Sequence, residues 1–365
     1  MAAGRPVNRP SPRPELTAVA PVVHGAVGTA ELAARGVERE TAIDFSASTN
    51  PLGPPPGVLA ALRALTAEQV ARYPDPNATA LRALIAAQQH VDMEQVIVGN
   101  GSVELIWLLA LAYARPAPER GLIVGPTFGE YERACRLMGA EVEWVTARAE
   151  DGFHVDTAEV AARVERAGAR LVWLCNPNNP TGVYLRREGI EPLLAACERA
   201  GALLVVDEAY VPFAREADTL VPLLASGQLF LLRSMTKDYA LPGIRLGYGL
   251  GTRVTIEALR TVQPPWSVSA AAQLAGEAAL ADEAHLERSR DEVWAARRLL
   301  ADGLRARRLA VTEPAANFVL AEVPLGWQSA AELRAALFAR GCVVRDCASF
   351  GLPRHFRVGV RTRDE

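Results

Sequence analysis

The chain has 365 residues, half of them hydrophobic and 22% charged, which is globular composition and excludes a disordered or fibrous protein. A formal net charge of −3 supplies no global basic field, so nothing in it points to nucleic acid or an anionic membrane surface. No run approaches the ~18 apolar residues of a membrane span.

Residues 1–20 are rich in Pro and Arg without an apolar core segment, so they read as a flexible arm and not as a signal peptide. From about residue 96 to 250, short apolar runs alternate with amphipathic stretches, the pattern of βαβ units. Strands are expected at 95–98, 121–124, 141–145, 170–175, 202–206, 229–232 and 245–250, apolar enough to be covered on both faces. Helices are expected at 103–113, 130–138, 157–167, 189–200 and 255–262. Pro264-Pro265 then breaks the chain, a helix follows from about 270, and charged helical periodicity runs through 283–305. Residues 309–361 read as strand, strand, helix, strand, strand, a small α+β unit.

The five cysteines are odd in number and lack the spacing of zinc ligands, so they read as reduced thiols of a cytoplasmic protein with no metal site. Among 39 Lys and Arg residues, Lys237 is the sole lysine. It sits in Ser234-Met235-Thr236-Lys237, followed by Gly243-x-Arg245-x-Gly247-Tyr248. One amine can condense with an aldehyde, and Arg cannot replace it because its guanidinium stays protonated. Ser234, Thr236 and Arg245 can grip a phosphate. Gly99-Asn100-Gly101-Ser102, between a strand and a helix that starts near Val103, offers free N–H groups and a helix dipole to the same anion. Asp207 ends an apolar strand, where α/β sheets place their ligands; there it would keep a pyridine nitrogen protonated, although a lone Asp also serves as a helix N-cap. Asn179, in Asn176-Pro177-Asn178-Asn179-Pro180-Thr181-Gly182, and Tyr210 can donate to a phenolic oxygen. Phe128 is a ring to stack on the pyridine. Together these residues ask for pyridoxal 5'-phosphate (PLP).

The same constellation resembles the fold-type I PLP enzymes, the aspartate-aminotransferase-like superfamily, over nearly the whole chain. The resemblance implies an α/β fold, with a large domain at 45–265 around a mostly parallel seven-stranded sheet. Residues 21–44 would join 266–365 in a small α+β domain. Two branches compete, histidinol-phosphate aminotransferase and the threonine-phosphate decarboxylase of cobalamin biosynthesis. Four stretches look like the decarboxylase branch: His24-Gly25 with the segment Ile43 to Gly53, Tyr239-Ala240-Leu241-Pro242-Gly243, Pro264-Pro265-Trp266-Ser267-Val268-Ser269, and Val344-Arg345-Asp346-Cys347 with Arg357-Val358-x-Val360-Arg361. Two positions depart from it, Ala26-Val27-Gly28 after His24-Gly25 and Ser269 where Asn is common.

Carried over position by position, His24, Gly25, Asn50, Asn179, Arg345 and Arg357 would contact a phosphorylated amino acid. Guanidiniums suit its phosphate and carboxylate on independent chemical grounds. Gly101, Ser102, Val103, Phe128, Asn179, Asp207, Tyr210, Ser234, Thr236 and Arg245 would bind the cofactor. Tyr73 would reach the cofactor phosphate of a partner subunit, which implies a homodimer. The same residues serve decarboxylation and transamination, and a PLP-binding protein without turnover is a third reading.

Overall fold

The computed structural model describes residues 11–365. The first ten residues of the expected arm lie outside that range. The second half of the arm includes a helical turn, Glu15–Ala18, and Arg13 Nη2 donates to the Leu137 carbonyl at 2.7 Å.

Among the described residues the twelve strands are β1 (Ile43–Asp44), β2 (Val96–Asn100), β3 (Arg120–Gly125), β4 (Glu141–Thr146), β5 (Ala169–Cys175), β6 (Leu203–Asp207), β7 (Leu229–Ser234), β8 (Leu246–Leu250), β9 (Phe318–Glu322), β10 (Cys342–Val343), β11 (Arg345–Cys347) and β12 (Leu352–Gly359). Seven form one sheet in the order β2-β8-β7-β6-β5-β3-β4. Only β8 runs against the rest. Every strand expected between 95 and 250 is present. Side chains alternate between two buried faces: Val96, Leu122, Val172, Leu204 and Leu231 enter one core, and Ile97, Ile123, Leu171, Val205 and Phe230 the other. Burial on both faces is why these strands read as continuous apolar runs.

The expected helices appear as Ser102–Tyr113, Glu130–Leu137, Thr157–Ala167, Arg187–Ala200, Arg253–Val262, Ala270–Leu280 and Glu283–Ala306. Asp156 starts the third, its carboxylate accepting from the N–H groups of Ala158 and Glu159, both at 3.0 Å. Ser269, the departure noted above, is also an N-cap, accepting from Ala272 N–H at 3.2 Å. Ser and Asn serve equally well there.

The remaining strands form a three-stranded antiparallel sheet, β11-β12-β9, and a parallel pair, β1-β10. The strand expected near 309 reduces to a single bridge from Val311 to Ala321. The Ala270–Leu280 helix packs on the large sheet's side. Its Ala272, Ala275, Ala279 and Leu280 share the core of the large sheet, because the small and apolar residues of this helix face the helices at Pro56–Arg63 and Thr79–Gln89.

Candidate active site

The C-terminal ends of β2, β5, β6 and β7 open on a cavity of about 980 Å3, roofed by residues 19–27 and by the β11–β12 hairpin. Its lining includes His24, Gly25, Ser102, Val103, Phe128, Asn179, Asp207, Tyr210, Ser234, Thr236, Lys237, Arg245, Arg345 and Arg357. Thus fourteen residues singled out from the sequence meet in one space.

Lys237 follows β7 in a turn and carries its Nζ 5.8 Å from the centre of the Tyr210 ring. Burial, then the positive charges of Arg357 and Arg245, lower its pKa to about 8, against the pull of Asp207. Asp207 closes β6. The Tyr131 hydroxyl donates to its Oδ2 at 2.6 Å and Ala209 N–H donates to its Oδ1 at 3.0 Å. Burial pushes this carboxyl up to about 6, and the hydrogen bonds from Tyr131 and Ala209 oppose the rise. Tyr131 is itself fixed by stacking on Trp173, centroids 4.9 Å apart, and by edge contact with Phe128 at 5.7 Å. Burial also pushes Tyr210 up to about 12, so its hydroxyl keeps its proton and remains a donor.

A second cluster gathers groups that could hold an anion. Ser102 and Val103 open the Ser102–Tyr113 helix, where the first N–H groups have no intrahelical partner. The hydroxyls of Ser234 and Thr236 are 2.8 Å apart. Gly101 has φ of +76°, and a Cβ there would stand 2.5 Å from Arg245 Nη2. The loop and the guanidinium therefore approach as closely as only glycine permits.

The third cluster is cationic. Arg357 is buried, donates from Nη1 to Asn179 Oδ1 and from Nη2 to the Ser46 carbonyl, and leaves its buried Nε–H unpartnered. Arg345 donates from Nη2 to the Val23 carbonyl at 2.9 Å and to Ser349 Oγ at 2.6 Å. Gly25 packs against both components, since a Cβ there would meet Ser46 O at 2.7 Å and Arg357 Nη2 at 3.2 Å. His24 Nε2 lies 3.1 Å from Glu130 Oε1.

Two expected residues are elsewhere. Asn50 is not in the cavity wall: its buried amide donates to the Asp238 carbonyl and to Ser289 Oγ, both at 2.7 Å, and its N–H donates to the Lys237 carbonyl at 2.8 Å. With its amide hydrogens so engaged, it braces the lysine turn. Tyr73 is 78% exposed and stacks on Trp266 outside the cavity, centroids 4.3 Å apart. Tyr131, Ser46 and Ser349 were missed. Tyr131 alone had a signal, standing in the first turn of the helix that follows β3 and three residues after Phe128.

Among the described residues no helix is long and apolar enough to cross a membrane, and no cluster of His, Cys, Asp and Glu is placed to hold a metal ion.

Residues 40–365 match the family described as aminotransferase class I and II. The "Putative threonine-phosphate decarboxylase" of Caldanaerobacter subterraneus subsp. tengcongensis is 36% identical over 322 residues, 87% of this chain and 85% of that one. The histidinol-phosphate aminotransferase of Symbiobacterium thermophilum is 37% identical over 326 residues, 88% and 87% of the two chains. Among solved structures, an aspartate aminotransferase double mutant of Thermus thermophilus superposes with a TM-score of 0.83 at 25% identity, covering 96% of this chain and 95% of that one. The chain belongs to the class I and II aminotransferase family of PLP-dependent enzymes and has the aspartate-aminotransferase-like fold.

Proposed function

We propose that the chain decarboxylates L-threonine O-3-phosphate to (R)-1-amino-2-propanol O-2-phosphate, a step of cobalamin biosynthesis, as a cytoplasmic PLP-dependent homodimer. The observation that carries this reading is Arg345 and Arg357 in one cavity with Lys237, near enough that Arg357 lowers the basicity of the amine. A substrate with one amine and two anionic groups matches that arrangement.

The residues also fit the cofactor. Gly101, Ser102, Val103, Ser234, Thr236 and Arg245 would hold its phosphate, and the space kept open by the missing Cβ of Gly101 supports this. Asp207 would hold the ring nitrogen, Asn179 and Tyr210 the phenolic oxygen, Phe128 the ring face and Lys237 the aldehyde. The exposed Tyr73 would reach the phosphate of the other subunit.

Bound PLP supplies an electron sink that lets one bond at the substrate Cα break heterolytically. The chain decides which bond. Arg345, Arg357 and His24 would take the carboxylate and the phosphate, and their grip orients Cα. Asp207 would keep a proton on the ring nitrogen. Lys237 Nζ, which carries its extra proton below about pH 8, would give that proton to Cα once CO2 has left.

A second reading, transamination of the histidinol-phosphate type, is favoured by the 37% identity to the Symbiobacterium enzyme. In it Lys237 removes the Cα proton. The two are separated by incubating the PLP-loaded protein with O-phosphothreonine and assaying CO2, then with histidinol phosphate plus 2-oxoglutarate and assaying glutamate. Turnover in the first pair alone supports decarboxylation, and turnover in the second alone overturns it. An absorbance band without turnover in either pair would indicate a PLP-binding protein that is not an enzyme.

A further inference from the structure

Glu130 is a carboxylate with only 2% of its surface exposed, and nothing above gives it a role. It opens the Glu130–Leu137 helix, and the chain around residues 13–24 lies along that helix. At the far end Arg13 Nη2 donates to the Leu137 carbonyl. At the near end a Cβ on Gly129 would lie 3.2 Å from Val22. Glu130 Oε1 there takes both His24 Nε2, at 3.1 Å, and Arg133 Nη1, at 3.3 Å. Burying a carboxylate is costly unless cations answer it, and the helix N-terminus offsets part of that cost. Arg133 and the helix dipole would satisfy Glu130 as a structural group. His24 is different: its side chain is 51% exposed, it comes from a separate segment, and it lines the cavity.

On the cavity side the same segment is held by the anion site itself. Val23 O accepts from Arg345, Gly25 packs on Arg357 Nη2, Ala26 N–H donates to Ser46 Oγ at 3.1 Å, and Ser46 O accepts from Arg357. Glu130 thus anchors, from the large sheet's side, a strap that also touches the two arginines. With Nε2 committed to Glu130, Nδ1 is the ring atom left for a ligand.

We propose that Glu130 is a positioning residue for phosphate specificity: it fixes His24, and with it residues 22–26, so that His24, Arg345 and Arg357 form one surface for the phosphate of the substrate. The inference rests on the reading that the substrate is a phosphorylated amino acid. Glu130→Gln keeps the shape of the side chain and removes its charge; His24→Asn tests the other partner at a half-exposed position. In the PLP-loaded enzyme, each is expected to raise KM for O-phosphothreonine about tenfold, the weight of one charge-assisted hydrogen bond, with kcat within about twofold. The double variant should be no worse than His24→Asn alone, and turnover of L-threonine, which lacks the phosphate, should not change in Glu130→Gln. Unchanged KM, equal losses with both substrates, or additive losses in the double variant would each overturn the proposal. If the wild type turns over no phosphoamino acid, the functional reading fails on its own. Inorganic phosphate then decides for Glu130, by calorimetric titration of the PLP-loaded protein. Binding weakened about tenfold by Glu130→Gln supports its role, while equal binding, or none to the wild type, refutes it.

Discussion

Arg345 and Arg357 stand directly opposite one another as register partners between β11 and β12. Like charges at facing positions of an antiparallel pair are destabilising. Burial reinforces the cost, holding the Arg345 pKa below its usual value, with Arg357 contributing. An anion that bridges the two would remove the repulsion.

That arrangement predicts anion-dependent stability. With PLP already filling the cradle at Gly101, phosphate at a hundredfold excess over its Kd should stabilise the wild type by about 2–3 kcal/mol. Arg345→Gln should lose most of this, and should cut kcat/KM for O-phosphothreonine about a hundredfold, the effect of a lost bidentate charge pair. Thermal melting with and without phosphate checks the first statement and steady-state kinetics the second. A wild-type melting point indifferent to phosphate would contradict the account.

Gly101→Ala should damage cofactor binding and little else. The added Cβ meets Arg245 Nη2 at 2.5 Å, and φ of +76° strains any side chain there. Strain of ~1–3 kcal/mol corresponds to a PLP affinity weaker by about 5- to 150-fold, read by titrating the apoprotein with PLP. Far-ultraviolet circular dichroism should be unchanged.

Lys237 should react with an aldehyde half-maximally near pH 8. Burial first, and then Arg357 and Arg245, lower its pKa to about 8, so the neutral amine prevails above that value. The unfolded chain holds this proton up to its ordinary pKa near 10.5, which means that apoprotein stability gains from Lys237 as pH rises from 8 toward that value. Arg357→Gln removes one of the depressing charges and should move the reactivity midpoint upward. Rates of PLP uptake by the apoprotein against pH give the answer.

Tyr131→Phe should move the acidic limb of the kcat profile to higher pH. The tyrosine donates to the charged form of Asp207 and so opposes the rise, to about 6, that burial produces. Without that bond the carboxyl takes up its proton at higher pH. An acidic limb that stays in place would separate Asp207 from the profile.

The central sheet was legible in the sequence because strands buried on both faces must be apolar at every position, as in Leu203 to Val206. The residues of the cavity floor were legible for a related reason, since Asp207, Ser234 and Gly101 all stand where such strands end. What escaped depends on partners distant in the chain. The two-residue strands β1 and β10 pair across some 300 positions and carry no periodicity of their own. The amide partners of Asn50 were likewise out of reach of the sequence, since they are the Asp238 carbonyl and Ser289, 239 residues away. Tyr131 reads as an ordinary amphipathic-helix aromatic until Asp207 is brought to it by the crossing from β3 to β6.

The whole account depends on Lys237, the only lysine side chain in the protein. Reducing the PLP-loaded protein with borohydride, digesting it and weighing the peptides is the most direct measurement. The account predicts that the cofactor's mass is found on the peptide containing Lys237 and nowhere else. An unmodified Lys237 peptide, or an unchanged absorbance band in Lys237→Ala, would contradict it.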